Sequence, residues 1–327
     1  MRINYINSLR LLATLSVVWL HTSAGLLDTR DIMNFDVKFW LSCHKYCMQF
    51  GVPVFVMISG ALFLNPAKEI GFPLLLRKYV KRIALALLIF GLPMCVVETY
   101  FSNTGGVING IVHFVKGQSW AHMWYLYMLI GLYLITPIIK PFVAKASDKD
   151  WTTALILMFV ISSLFPTMNA MGAGLTSWMI ISTPYIFIYM LGYWLCWKAP
   201  QRIIGNRLAL TVVILLCLAI IVAKCYYGFN YYGYADPVTI CLAAALFLLF
   251  RSLNVNWNLA NRLAPYCFGI YLVHPVFINF TYKFLNINEG LVVPIHHFFI
   301  FFLLFTLLSL ASTYILMKIP FMKKHVL

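Results

Sequence analysis

Apolar runs close to the ~20 residues needed to cross a bilayer recur along the whole of this chain. In hydrocarbon every backbone N–H and C=O must find its partner within the protein, so such a run has one economical solution, a helix. Ten runs can be placed, at roughly 6–27, 38–64, 83–101, 122–143, 151–169, 177–197, 207–227, 236–252, 264–284 and 292–317. Composition agrees: 62% of residues are hydrophobic and 10% charged, where a soluble domain carries about a quarter charged residues. No repeat, low-complexity tract or long polar stretch marks off a second unit. The expectation is an all-α polytopic membrane protein of about ten transmembrane helices, with residues 1–327 forming a single integral membrane domain. The stretch "YYGFNYYGYADP" (226–237) reads as an outer loop with interfacial aromatics.

An even number of spans puts both termini on one side, and the placement of Lys and Arg says which. Eighteen of the 24 fall on the side of the termini. The other six, Arg30, Lys38, Lys45, Lys116, Lys224 and Lys283, fall opposite. Cytoplasmic loops retain positive charge, so both termini are expected in the cytoplasm. The net charge of +15 is thus mainly a topology signal. It is not a nucleic-acid signal, because that reading needs a basic soluble face. Residues 6–27 are read as the first span rather than as a removable leader, since Arg10 interrupts the apolar run. Eight cysteines are scattered without metal-site spacing. Cys43, His44 and Cys47 come nearest to it but lack a fourth ligand, so no metal is expected.

Ionisable residues at membrane depth are costly and mark pathways or sites. In "RLLATLSVVWLH" eleven residues separate Arg10 from His21, which on a helix is about 20° beyond three full turns and about 16 Å of rise. Both side chains face the same way. Arg10 can snorkel to the nearby interface, whereas His21 lies too deep to do so. Glu98, in the outer half of the third span, either caps a helix at the interface or serves a site. His274, near the middle of the ninth, either makes an interhelical hydrogen bond or belongs to a site. The cluster "RKYVKR" (77–82) satisfies the positive-inside bias. It equally offers two cation pairs one helical turn apart, Lys78 with Arg82 and Arg77 with Lys81, each able to grip a phosphate.

Five stretches, in order, resemble motifs of the acyltransferase-3 family of bacterial integral membrane acyltransferases. They are "NSLRLLATLSVVWLH" with Arg10 and His21, "VPVFVMISGALFL" (52–64) with the pair Ser59 and Gly60, and "RKYVKRI" (77–83). The last two are "HMWYLYMLIGLYLITPII" (122–139) and "FGIYLVHPVFI" (268–278) with His274. The resemblance covers nearly the whole chain and is closest to the short branch that acetylates surface polysaccharides. One departure is Lys78, where the family often has arginine.

The resemblance implies transfer of an acyl group, acetyl rather than aminoacyl, from cytosolic acyl-CoA to a hydroxyl of a surface polysaccharide or lipid-linked sugar across the bacterial inner membrane. Acyl-CoA is then a co-substrate, with no resident cofactor. In that reading CoA phosphates sit against Arg10, Lys78 and Arg82 while the pantetheine arm runs toward His21. His21 acts as general base or as a covalent acyl carrier, with Glu98 orienting its ring if their spans pack together. Trp124 and Tyr125 either donate to the oxyanion, stack on a sugar, or belong to the interfacial aromatic belt. Ser59 and His274 are structural or part of the site. The competing reading is a glycan exporter without acyl transfer, which would commonly show two related halves; none is visible.

Overall fold

The computed structural model describes residues 3–28, 35–101, 105–118, 122–174, 184–229, 233–285 and 295–327. Among these residues the regular structure is helical throughout, with no strand. The helices used below are α1 (Asn4–Asp28), α2 (Phe35–Cys47), α3 (Gly51–Phe63), α4 (Phe72–Tyr100), α5 (Gly106–Val115), α6 (Trp124–Lys145), α7 (Asp148–Ala170) and α8 (Tyr185–Tyr193). They continue with α9 (Arg207–Tyr227), α10 (Pro237–Leu253), α11 (Asn258–Lys283), α12 (Ile295–Leu316) and α13 (Pro320–His325).

Eight helices among the described residues are long and apolar enough to cross a membrane, and they coincide with eight of the ten expected runs. The run expected at 236–252 is the 17-residue α10. The run expected at 177–197 is α8 and its π-helical continuation Trp194–Lys198, with 175–183 outside the described residues. Two boundaries differ from expectation. The helix expected from residue 83 begins at Phe72, so the basic cluster lies within it. The segment left between the expected runs at 83–101 and 122–143 contains α5, too short to span and therefore invisible to a search for spans. It packs back on α4, where a Cβ on Gly110 would meet the backbone of Val96.

α1 sits at the centre, packed against α2, α3, α11 and α12. Its buried hydroxyls close onto their own helix, Thr14 on Arg10 O at 2.9 Å, Thr22 on Val18 O at 2.8 Å and Ser23 on Trp19 O at 2.9 Å. Such internal bonds let polar residues sit in a dry core without an outside partner. His44, beside the cysteines of α2, is held by an interhelical bond, Trp19 Nε1 donating to its Nδ1 at 2.9 Å, with both Trp19 and Trp40 against its ring.

Between membrane helices the hydrophobic effect offers little, so small residues that permit close backbone approach decide the packing. The closest approach is between α3 and α8: a Cβ on Gly60 would strike the Tyr189 carbonyl, and one on Gly192 the backbone of Met57. Trp197 Nε1 to Ala61 O at 2.9 Å and Thr136 Oγ1 to Tyr189 Oη at 2.8 Å tie α8 to α3 and α6. Gly60→Leu is expected to cost about 1–3 kcal/mol or more, because backbone cannot move aside as a side chain can. Thermal unfolding in detergent reads this directly, and an unchanged midpoint would mean the α3–α8 contact is looser than described.

Candidate active site

α1 carries both Arg10 and His21, and the helix is unbroken between them. The imidazole of His21 meets that of His274, on α11, with His274 Nε2 3.1 Å from His21 Nδ1 and ring centroids 5.0 Å apart. A third ring, His122, just before α6, lies 6.1 Å from His21 and 5.4 Å from His274. Both His122 and His274 are buried.

The hydrogen bonds fix the tautomers, because a carbonyl only accepts. His274 Nδ1 lies 3.0 Å from Ile270 O, so it carries the proton and His274 Nε2 is the bare nitrogen of a neutral ring. His21 Nδ1 lies 2.9 Å from Val17 O and 3.1 Å from that bare nitrogen. It must therefore donate to both, which leaves His21 Nε2 with the lone pair. Pro275 follows His274 inside the helix. Having no N–H, it leaves the Tyr271 carbonyl without its helical donor.

Tyr271 ties the cluster to a cavity. Its hydroxyl donates to His122 O at 2.6 Å, and its ring lies 5.3 Å from His122 and 5.6 Å from Tyr125. Tyr271 and Tyr125 line a cavity of about 420 Å³, whose wall also includes Arg10, Tyr79, Arg82, Met317 and Leu327. That volume suits a small-molecule ligand. Ser59 and Tyr133 line it as well, and the Ser59 hydroxyl lies against both Tyr125 and Tyr133. Arg10 reaches Asn7 Oδ1 at 3.5 Å, and Asn7 is held by Asn261 at 2.8 Å.

Arg10, Ser59, Arg82 and Tyr125 thus line one cavity, and His274, with His21 against it, adjoins the cavity wall at Tyr271. The structure does not bring Glu98 to His21. Glu98 Oε1 lies 3.9 Å from Lys283 Nζ, both side chains about half exposed, and the partner expected of it is supplied by His274. Lys78 is not in the cavity wall. Arg77 and Lys78 lie on a π turn, Leu75–Val80, and Lys81 and Arg82 on the α-helical stretch that follows it. Arg82 faces the cavity, whereas exposed Lys78 places its ammonium 5.4 Å from the Tyr79 ring centroid. Trp124 is half-buried in a cluster of its own, stacked on Tyr234 at 5.4 Å and tilted against Tyr185 at 5.5 Å.

His122 is the member of the cluster that the sequence did not single out. At the edge of a span an imidazole needs no explanation, and only its place in "HMWYLYM" gave a signal. A family model described as an acyltransferase domain matches residues 3–317, nearly the whole chain. No curated protein and no solved structure matches it.

Proposed function

Because this chain belongs to the acyltransferase-3 family, we propose that it moves an acetyl group from cytosolic acetyl-CoA to a sugar hydroxyl of a surface polysaccharide or of its lipid-linked precursor. The family makes it an acyltransferase. The observation that supports the finer reading is that the cavity holding Arg10 and Arg82 is also walled by Tyr271, whose ring lies against His122 and His274. In this reading the protein lies in the bacterial inner membrane with the arginine end toward the cytosol, as the 18-to-6 split of cations suggests.

The donor enters at the arginine end. Its phosphates pair with Arg82 and Arg10, and the extended thioester arm lies along Tyr133 and Ser59 toward Tyr125 and Tyr271. His21 Nε2 takes the proton of the acceptor hydroxyl as its oxygen bonds to the thioester carbonyl carbon. The tetrahedral intermediate then collapses, the C–S bond breaks, and the departing thiolate takes the proton from the imidazolium. His274 keeps Nδ1 of His21 as the protonated nitrogen through both steps, so the productive tautomer is the resting one. Tyr125 offers an O–H for the oxyanion, and Trp124 with Tyr234 offers an aromatic wall on the acceptor side.

Membranes given labelled acetyl-CoA and candidate glycans test this: label is expected in the glycan, and glycan movement without label would overturn it in favour of export. The donor contacts are tested separately. A charge-assisted bond contributes ~1.5–3 kcal/mol, so Arg82→Ala and Arg10→Ala should each raise the apparent dissociation constant for acetyl-CoA roughly 10- to 150-fold. Lys78→Ala, removing an exposed cation, should change it by less than about fivefold, as should exposed Arg202→Ala. Equal losses in all four would reduce the cluster to a membrane anchor.

A further inference from the structure

We propose that the segment Pro320–Leu327 is a gate over the donor cavity, seated in its mouth and displaced when a CoA-class nucleotide thioester binds. This rests on the donor reading above, and goes beyond it in giving the cavity a closed state.

The segment is basic and polar on one side, with exposed Lys323 and Lys324, yet it buries Met322, Val326 and Leu327. Leu327 lines the cavity, beside Arg82 and Met317. Arg82 Nε donates to the Val326 carbonyl at 3.0 Å, and the guanidinium carbon lies 5.8 Å from the centroid of Phe268, another lining residue. The cation best placed to receive a phosphate is thus engaged by the backbone of this segment. The segment's end is held in shape by Val326 N and Leu327 N, both donating to Met322 O, at 3.0 and 2.7 Å. Behind it, α13 packs on the Lys81–Ala86 part of α4.

Two consequences follow from elementary chemistry. While its Nε–H serves the Val326 carbonyl, the Arg82 guanidinium cannot offer its Nε–Nη edge to a phosphate bidentately, and a phosphate that takes that edge, being charged, is the stronger acceptor. An apolar side chain in the mouth also occupies volume that an incoming ligand needs. The segment is anchored by Met322, Val326, Leu327 and the Arg82 bond, after a turn at Met317–Ile319 with Met317 N on Thr313 O and Ile319 N on Leu316 O. A short unit held in this way opens at lower cost than the bundle unfolds. The closed state then reduces apparent donor affinity by the fraction of time the mouth is open.

The experiment uses the whole chain in lipid nanodiscs with CoA as the probe. Trypsin should cut after Lys323 and Lys324 about tenfold faster with saturating CoA than without, followed by mass spectrometry. Deleting residues 320–327 should tighten CoA binding by about tenfold, since the closed state is gone, and Leu327→Ala should shift it the same way by less. Binding of CoA to the whole chain with slower or unchanged cleavage would overturn the gate and make the segment a fixed wall, while leaving the donor reading intact. Weaker or unchanged binding after the deletion would do the same. Failure of CoA to bind either protein would overturn the donor reading and the gate with it. The cleavage measurement needs no variant, so a deletion that fails to fold still leaves the gate open to refutation.

Discussion

His21→Ala is expected to lower turnover ~10²–10⁴-fold, the contribution of a positioned general base, the role proposed for His21, while donor affinity changes little. The dissociation constant should hold because, in the proposed reading, the phosphates bind some 16 Å away, at about three turns' distance along α1. His274→Leu is the informative companion. It removes the acceptor 3.1 Å from His21 Nδ1 but leaves the bond to Val17 O. The loss is then one hydrogen bond of about 1–1.5 kcal/mol, or about tenfold in turnover. Turnover by His21→Ala within tenfold of the unaltered protein would sink the mechanism. A His274→Leu effect as large as that of His21→Ala would instead move the base to His274.

Lys224→Met destabilises the protein by about 3–5 kcal/mol, the cost of stranding a buried charge. Lys224 Nζ lies 2.6 Å from Asp236 Oδ2, and the Asp236 side chain is fully buried. The other carboxylate oxygen accepts from Val238 N at 3.0 Å, capping α10. The pair also fixes the turn Gly233–Ala235, clamped by Ser163 Oγ on Ala235 O at 2.6 Å, and that turn carries Tyr234 against Trp124. Equilibrium unfolding in detergent should show the loss. The double variant Lys224→Met with Asp236→Asn should recover most of it, because an amide keeps the cap without the charge. A single-variant loss below about 1 kcal/mol would place the pair among weak surface ion pairs.

Neither effect could be read from one position alone. Lys224 entered the sequence reading only as one of six cations on the minority side. Nothing in the chain announces that Asp236, twelve residues on, turns back to meet it. The family resemblance fared better, because five short motifs in fixed order carry information that none carries alone, and the match over residues 3–317 bears it out.

The sequence by itself determined the helical membrane fold, since dry backbone must satisfy itself within each apolar run and the runs can be counted along a line. It also determined the register of Arg10 and His21, because both lie on one helix and 3.6 residues per turn is a local rule. Only the tertiary structure decided what His21 touches. His274 lies 253 residues away and Glu98 was an equally permissible partner by depth, so the choice depended on which helices pack against α1. The tertiary structure also decided that Arg82, rather than Lys78, lines the cavity, and set Leu327 there beside it. Span formation is governed by transfer from water to lipid, a sum over neighbouring residues. Partner choice between helices is governed by where small residues such as Gly60 and Gly192 allow backbones to touch, a property of pairs of surfaces that a single line of residues does not contain.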